Sequence, residues 1–235
     1  MPQPRAILFD VFGTLVDWRG SVIAGLERFG ALRGITADWA DITDSWRRAY
    51  RPSMDRVRRG AIPWTILDDL HRDALIEITR RHDIPPLSDA DCTELVNLWH
   101  RLDPWPDSSL GLTRLKTKFI IGPLSNGHLA LQINLAKRNN FPWDVTFGAD
   151  LFQHYKPDPT VYLAACDLLS LPPNHVMLAA AHNDDLAAAA ALGLQTAFIT
   201  RPTEFGPTPT HHATPNGNWT LITTSVTDLA TQLGV

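Results

Sequence analysis

Short apolar runs alternate with helix-length stretches through most of this chain, and that order limits the folds open to it more than any other property. The runs at residues 6–9, 119–124, 145–147, 176–181 and 196–199 are apolar, several are rich in β-branched residues, and each gives way to polar or glycine-containing sequence. Buried strands have this signature. Helix-like stretches at 129–138, 159–169 and 184–192 separate the last four; the third opens on Asp184 and Asp185 and stops at Gly193. Acidic residues favour a helix N-terminus and glycine its end. The alternation predicts an α/β fold, a Rossmann-like parallel sheet with right-handed crossovers.

The segment 16–105 breaks the pattern. It carries helical periodicity (Val22, Leu26, Phe29; Ile66, Leu70; Leu95, Leu98, Trp99) and no convincing strand. It reads as a helical domain inserted into an α/β core made of 1–15 and 106–235. Trp18, Trp39, Trp46, Trp64, Trp99 and Trp105 lie in this insert or at its edge, and large aromatics of this kind are expected to pack its core. The proline-rich segment 201–215, with His211 and His212, reads as a surface loop; a lone histidine pair is too few ligands for zinc. There is no internal repeat.

With 44% hydrophobic and 20% charged residues, the chain has the apolar content for a sizeable core and is not of the disordered class. Its net charge of −4, without a basic tail, argues against nucleic acid as an electrostatically captured partner. Cys92 and Cys166 are far apart and outside any CxxC pair, which argues against a disulfide framework or structural zinc. No stretch approaches the roughly 20 apolar residues of a membrane span, and the first residues lack a signal-peptide pattern. A soluble protein of the reduced cytoplasm is expected.

In open α/β sheets ligands gather at the carboxyl ends of the strands, and the residues that follow the runs form a coherent set. Asp10-Val11-Phe12-Gly13-Thr14 follows the first run, Ser125-Asn126-Gly127 the second, and His182-Asn183-Asp184-Asp185 the fourth; Lys156-Pro157-Asp158 lies in the loop beyond the third. A carboxylate beside a lysine is held ionised, and an ionised, oriented carboxylate can act as a covalent nucleophile.

These four clusters resemble the four motifs of the haloacid dehalogenase superfamily, and the match spans nearly the whole chain, helical cap included. Most members of that superfamily are magnesium-dependent phosphatases with Asp-x-Asp as first motif, whereas the second position here is Phe12. The second Asp protonates a departing alkoxide; a halide leaves as a stable anion and needs no proton. The sequence is therefore most similar to the L-2-haloacid dehalogenase (type II) branch, which carries an aromatic residue there. The resemblance implies hydrolysis of small (S)-2-haloacids through an ester on Asp10, without a cofactor, in an enzyme that is commonly a homodimer. It assigns Lys156 and Asp185 to catalysis with Asp10, and Arg47, of the Trp46-Arg47 pair, to the substrate carboxylate and halide. It places Thr14, Phe12, Ser125, Asn126 and Tyr162 around the substrate.

The fourth motif departs from the family pattern: His182 stands where better-known members carry an Asn that lines the halide site. The expectation is an added donor beside Arg47, a tight cradle suited to fluoride and hence to fluoroacetate. Two rivals stay open. A magnesium phosphatase for good leaving groups would take Asp10, Asp184 and Asp185 as metal ligands. A non-catalytic binder of carboxylates would have no evident need of Asp10 or Lys156. An imine mechanism from a cap lysine is removed, since Lys116, Lys118, Lys137 and Lys156 all lie outside 16–105.

Overall fold

The computed structural model describes residues 2–208 and 214–235, so His211 and His212 lie outside the described residues. Two compact units result: Met1–Asp17 with Asp103–Val235, and Trp18–Leu102.

The first unit is built on a five-stranded sheet of β1 (Ala6–Phe9), β4 (Ile120–Pro123), β5 (Val176–Ala180), β6 (Gln195–Ile199) and β7 (Leu221–Thr223), in the order β4-β1-β5-β6-β7. Every pairing is parallel. All residues of β1, β5 and β6 are buried, which explains their unbroken apolar runs: an inner strand of a parallel sheet has no solvent face. Helices α5 (Ser108–Lys116), α6 (Leu129–Asn139), α7 (Ala149–Phe152), α8 (Pro159–Leu168), α9 (Asn183–Ala191) and α10 (Val226–Gln232) complete the unit. The chain leaves and re-enters it through a short antiparallel ribbon, β2 (Val16–Asp17) against β3 (Asp103–Pro104).

The expected strand at 145–147 does not form. Its only ladder contact is a bridge from Phe147 to Leu124. The side chain of Asp144 accepts the Ile121 N–H at 3.0 Å, and the Asp144 N–H bonds the Ile121 carbonyl at 2.9 Å. One aspartate thus takes both backbone groups of Ile121, and only the Pro123 carbonyl of β4 is left to accept the Phe147 N–H, at 3.3 Å. The fifth strand is instead β7, a three-residue edge too short to stand out in the sequence.

The second unit holds α1 (Trp18–Arg33), α2 (Trp39–Arg58), α3 (Leu67–Arg81) and α4 (Asp89–Val96), with a 3-10 turn at Asn97–His100. Asp38 caps α2 and a Ser88–Asp91 capping box starts α4, each satisfying orphan N–H groups of the first turn. Trp18, Trp46 and Trp99 are fully buried. Trp99 stacks on Trp18 and on His71 and meets Trp46 edge-on, while the Trp46 indole N–H donates to the His71 carbonyl. These three are core packing, as expected. Trp39 is buried as well, and Trp64 and Trp105 are half-buried. No helix among the described residues is long and apolar enough to cross a membrane.

Candidate active site

Asp10 leaves the end of β1 with its N–H on the Ala179 carbonyl of β5, and its side chain is 11% exposed. Both carboxylate oxygens have partners. Lys156 Nζ lies 3.1 Å from Oδ1; Thr14 Oγ1 donates to Oδ2 at 2.7 Å, and His182 Nδ1 lies 3.0 Å from the same atom. Burial by itself would raise the Asp10 carboxyl, but the Lys156 charge and the His182 and Thr14 contacts outweigh it and hold the group far below its ordinary 3.8. Asp10 is an anion at every pH of interest.

Lys156 bridges to a second carboxylate, Asp185, at 2.5 Å. The other oxygen of Asp185 accepts from the Tyr162 hydroxyl at 2.6 Å. Asp185 belongs to the first turn of α9 and Tyr162 to the first turn of α8, so two helix starts converge on one lysine. Burial lowers the Lys156 ammonium, yet its two carboxylates win and raise it above 10.5. Asp185 moves the opposite way from Asp10: burial, with the nearby Asp10 charge, raises it above 3.8 against the pull of Lys156. Burial and Asp185 likewise push the Tyr162 hydroxyl up, so it remains a donor.

The second cluster works one step further out. Asn126 Oδ1 accepts the backbone N–H of Lys156 at 2.7 Å, and Ser125 Oγ accepts the Gly127 N–H at 3.1 Å. Asn126 thus holds the loop that carries Lys156, and Ser125 holds the turn that carries Asn126. Thr14 Oγ1, besides its bond to Asp10, accepts the Ala181 N–H at 2.9 Å and so ties the Asp10 loop to the end of β5. Phe12 is buried at 2% exposure, so the position of a general acid holds a ring without a proton to give. Arg47 lies in the other compact unit, on α2, with its guanidinium over the rings of Tyr50 and Trp18. The structure thus brings seven of the ten expected residues, Asp10, Thr14, Asn126, Lys156, Tyr162, His182 and Asp185, into one bonded cluster, with Ser125 next to Asn126 in the chain and Phe12 on the same loop as Asp10.

His182 meets a carboxylate at each ring nitrogen, one of them on a residue that the sequence reading did not single out. Its Nδ1 faces Asp10 and its Nε2 faces Glu204, at 3.0 and 3.1 Å from the two carboxylate oxygens. Burial lowers the imidazole, but Glu204 and Asp10 on either side raise it well above 6.5. Glu204 is 3% exposed and was not legible as a site residue. The strand-end rule, carried on to the run 196–199, does lead to it; the proline-rich character of 201–215 hides it as surface loop. That reading of the loop is corrected at its start, where Arg201 and Glu204 are both buried. Arg201 donates from Nε to the Thr14 carbonyl and grips Asp107 with two parallel bonds of 2.7 and 2.9 Å. Asp107 also accepts the Val226 N–H at the start of α10.

Gly13 completes this arrangement. Its φ is +81°, and a Cβ built there would sit 2.1 Å from Glu204 Oε1. Gly13→Ala is therefore expected to destabilise the fold by about 1–3 kcal/mol through strain at a left-handed residue and to displace Glu204 from His182. Urea denaturation checks the first effect; a variant as stable as the parent would show that the Glu204 position is adaptable.

The residues 4–193 match the family model described as hydrolase, haloacid dehalogenase-like hydrolase. Among curated proteins the chain is similar to (S)-2-haloacid dehalogenase 4A of Burkholderia cepacia, 30% identical, with 96% of this chain and 98% of that one covered. Among solved structures it is similar to a defluorinating L-2-haloacid dehalogenase, at 46% identity, TM-score 0.96, covering 99% of this chain and 96% of that one. A second L-2-haloacid dehalogenase is 49% identical with TM-score 0.94 and 98% of each chain covered. An aspartate clamped at the end of β1, a bridging lysine and an aromatic residue two positions on are thus found in a chain that belongs to the haloacid dehalogenase-like hydrolase family, in its L-2-haloacid dehalogenase branch.

Proposed function

We propose that this chain hydrolyses small (S)-2-haloacids, among them chloroacetate, 2-chloropropionate and fluoroacetate, to 2-hydroxyacids through an ester on Asp10. The observation that carries the reading is Asp10 itself: an anion fixed on three donors, with Phe12 rather than a second Asp two residues on. Such a carboxylate attacks the halogen-bearing carbon from the side opposite the halogen, inverts it, and expels halide without any proton. Water then attacks Cγ of Asp10 and releases the product, and Lys156 balances the charge on the carboxylate and on the oxyanion formed from it. Asp185 and Tyr162 fix Lys156; Ser125, Asn126 and Thr14 fix the loops. Arg47 is assigned to the substrate carboxylate and halide, and the unit Trp18–Leu102 to the role of cap. A planar, permanently charged guanidinium suits both anions. The defluorinating relative supports fluoroacetate as a substrate.

The rival metal reading fits the donor set less well. Each Asp10 oxygen already faces N–H or O–H donors, and Lys156 supplies the positive charge between Asp10 and Asp185. The same reading takes the working enzyme as a cytoplasmic homodimer without a nucleic-acid partner.

The test is ion-specific halide release in EDTA from chloroacetate, fluoroacetate and each enantiomer of 2-chloropropionate, beside p-nitrophenyl phosphate with magnesium. Chloride release in EDTA, selective for the (S) enantiomer, is expected. Magnesium-dependent phosphate release with no halide overturns the reading. Chloride without fluoride, even at high enzyme loading, removes fluoroacetate alone.

A further inference from the structure

We propose that His182, held by Glu204, is the group that takes the proton of the attacking water when the Asp10 ester is hydrolysed, and that Asp185 is a positioning residue for Lys156. This inference rests on the dehalogenase reading and assigns a step within it.

Geometry comes first. His182 Nδ1 lies 3.0 Å from Asp10 Oδ2, one bond from the Cγ that water must reach, and so within reach of a water arriving there. Its other nitrogen faces both oxygens of Glu204. A carboxylate behind the far nitrogen fixes the ring's orientation and stabilises the imidazolium formed when the near nitrogen takes a proton. Glu204 is itself fixed: it is buried, it lies against the Cα of Gly13, and its loop is anchored by Arg201 on Thr14 and Asp107. Asp185, by contrast, has one oxygen on Lys156 and the other on Tyr162, and no oxygen is left facing Asp10.

The electrostatics agree. In the resting enzyme the imidazole sits between two anions, Asp10 and Glu204, and holds both protons. Alkylation neutralises Asp10, so the anion that Nδ1 faces disappears and Glu204 alone remains beside the ring; in the proposed sequence the Nδ1 proton leaves at this point, alongside the departing halide. The neutral His182 keeps its Nε2 proton on Glu204.

The step then balances. One water proton goes to His182 Nδ1 as the hydroxide oxygen bonds to Cγ. The tetrahedral oxyanion collapses and the bond from Cγ to the substrate oxygen breaks. The proton left on the new carboxyl passes to the departing alkoxide, giving the 2-hydroxyacid. Asp10 is again an anion and His182 again doubly protonated, and the one proton of the overall reaction has left at alkylation.

The experiment is rapid quench with chloroacetate on the full chain, reading chloride per site and the mass of the Asp10 peptide. Wild-type chloride turnover is measured first; its absence overturns the dehalogenase reading itself. With turnover in place, His182→Asn and Glu204→Gln are each expected to release about one chloride per site and then stall. Steady-state rate should fall about 100-fold or more in His182→Asn, with a carboxymethyl ester accumulating on Asp10. Asp185→Asn should slow chloride release itself and trap no ester. Ester accumulation in Asp185→Asn but in neither of the other two would overturn the proposal, as would unchanged turnover in both His182→Asn and Glu204→Gln. Glu204→Gln, which preserves shape, keeps the test decisive if His182→Asn does not fold.

Discussion

Asp10→Asn is expected to lower halide release from chloroacetate by about 10⁴-fold or more, the scale of losing a nucleophile that works as part of a unit. The amide keeps the size of the side chain but has no anionic oxygen to attack carbon. It also turns an N–H donor toward one of Lys156 and the Thr14–His182 pair, which are all donors to Asp10 in the parent. The origin of the product oxygen checks the same step. In a single turnover in heavy-oxygen water, the label is expected in the Asp10 carboxylate and the first 2-hydroxyacid is expected unlabelled. Labelled product from the first turnover, or appreciable activity in an Asp10→Asn sample shown to be free of deamidation, would sink the ester mechanism.

Lys156→Met is expected to be the most destabilising change at the site, by about 3–5 kcal/mol, because it strips a buried ammonium from two buried carboxylates. Lys156, Asp10 and Asp185 have side-chain exposures of 5, 11 and 9%, so water replaces little of what is lost. Halide release should disappear as well. The pH dependence provides a sharper readout than the size of the loss. In the parent, Asp10 is held below its ordinary 3.8, so its contribution is complete above that pH and is lost as pH falls below it. In Lys156→Met, Asp10 keeps Thr14 and His182 and Asp185 keeps Tyr162, but both carboxylates lose the ammonium that offsets burial and their mutual repulsion, and both are pushed up. A raised carboxyl favours the fold below its unfolded value and loses that contribution as pH rises through its folded value. Stability of the variant relative to the parent should therefore worsen as pH rises from acid toward neutral, in urea titrations at several pH values. A constant difference across that range would mean that the ammonium is not what holds the two carboxylates.

What the sequence determined by itself was whatever depends on local order. Runs of apolar residues on an inner parallel strand fix β1, β5 and β6 because both faces are buried there, and the residue after such a strand lands on the ligand side of the sheet. Asp10, Ser125, His182 and Asp185 were legible for that reason, and Phe12 set the first motif apart from the Asp-x-Asp of the phosphatases. Lys156 was legible only as one member of a familiar set, since nothing in Tyr155-Lys156-Pro157 says that its ammonium sits between two carboxylates.

Only the tertiary structure decided who faces whom. Glu204, 22 residues on, reaches the far nitrogen of His182, whose near one faces Asp10. Tyr162 gives its proton to Asp185 across 23 residues, and Arg201 closes on Asp107 across 94. Val145–Phe147 has strand-like composition, yet one Asp144 side chain takes the donor that would have paired it. These outcomes share a cause. A buried polar group must find a partner wherever the packed chain offers one, and the sequence shows the group but not the neighbour that folding brings to it.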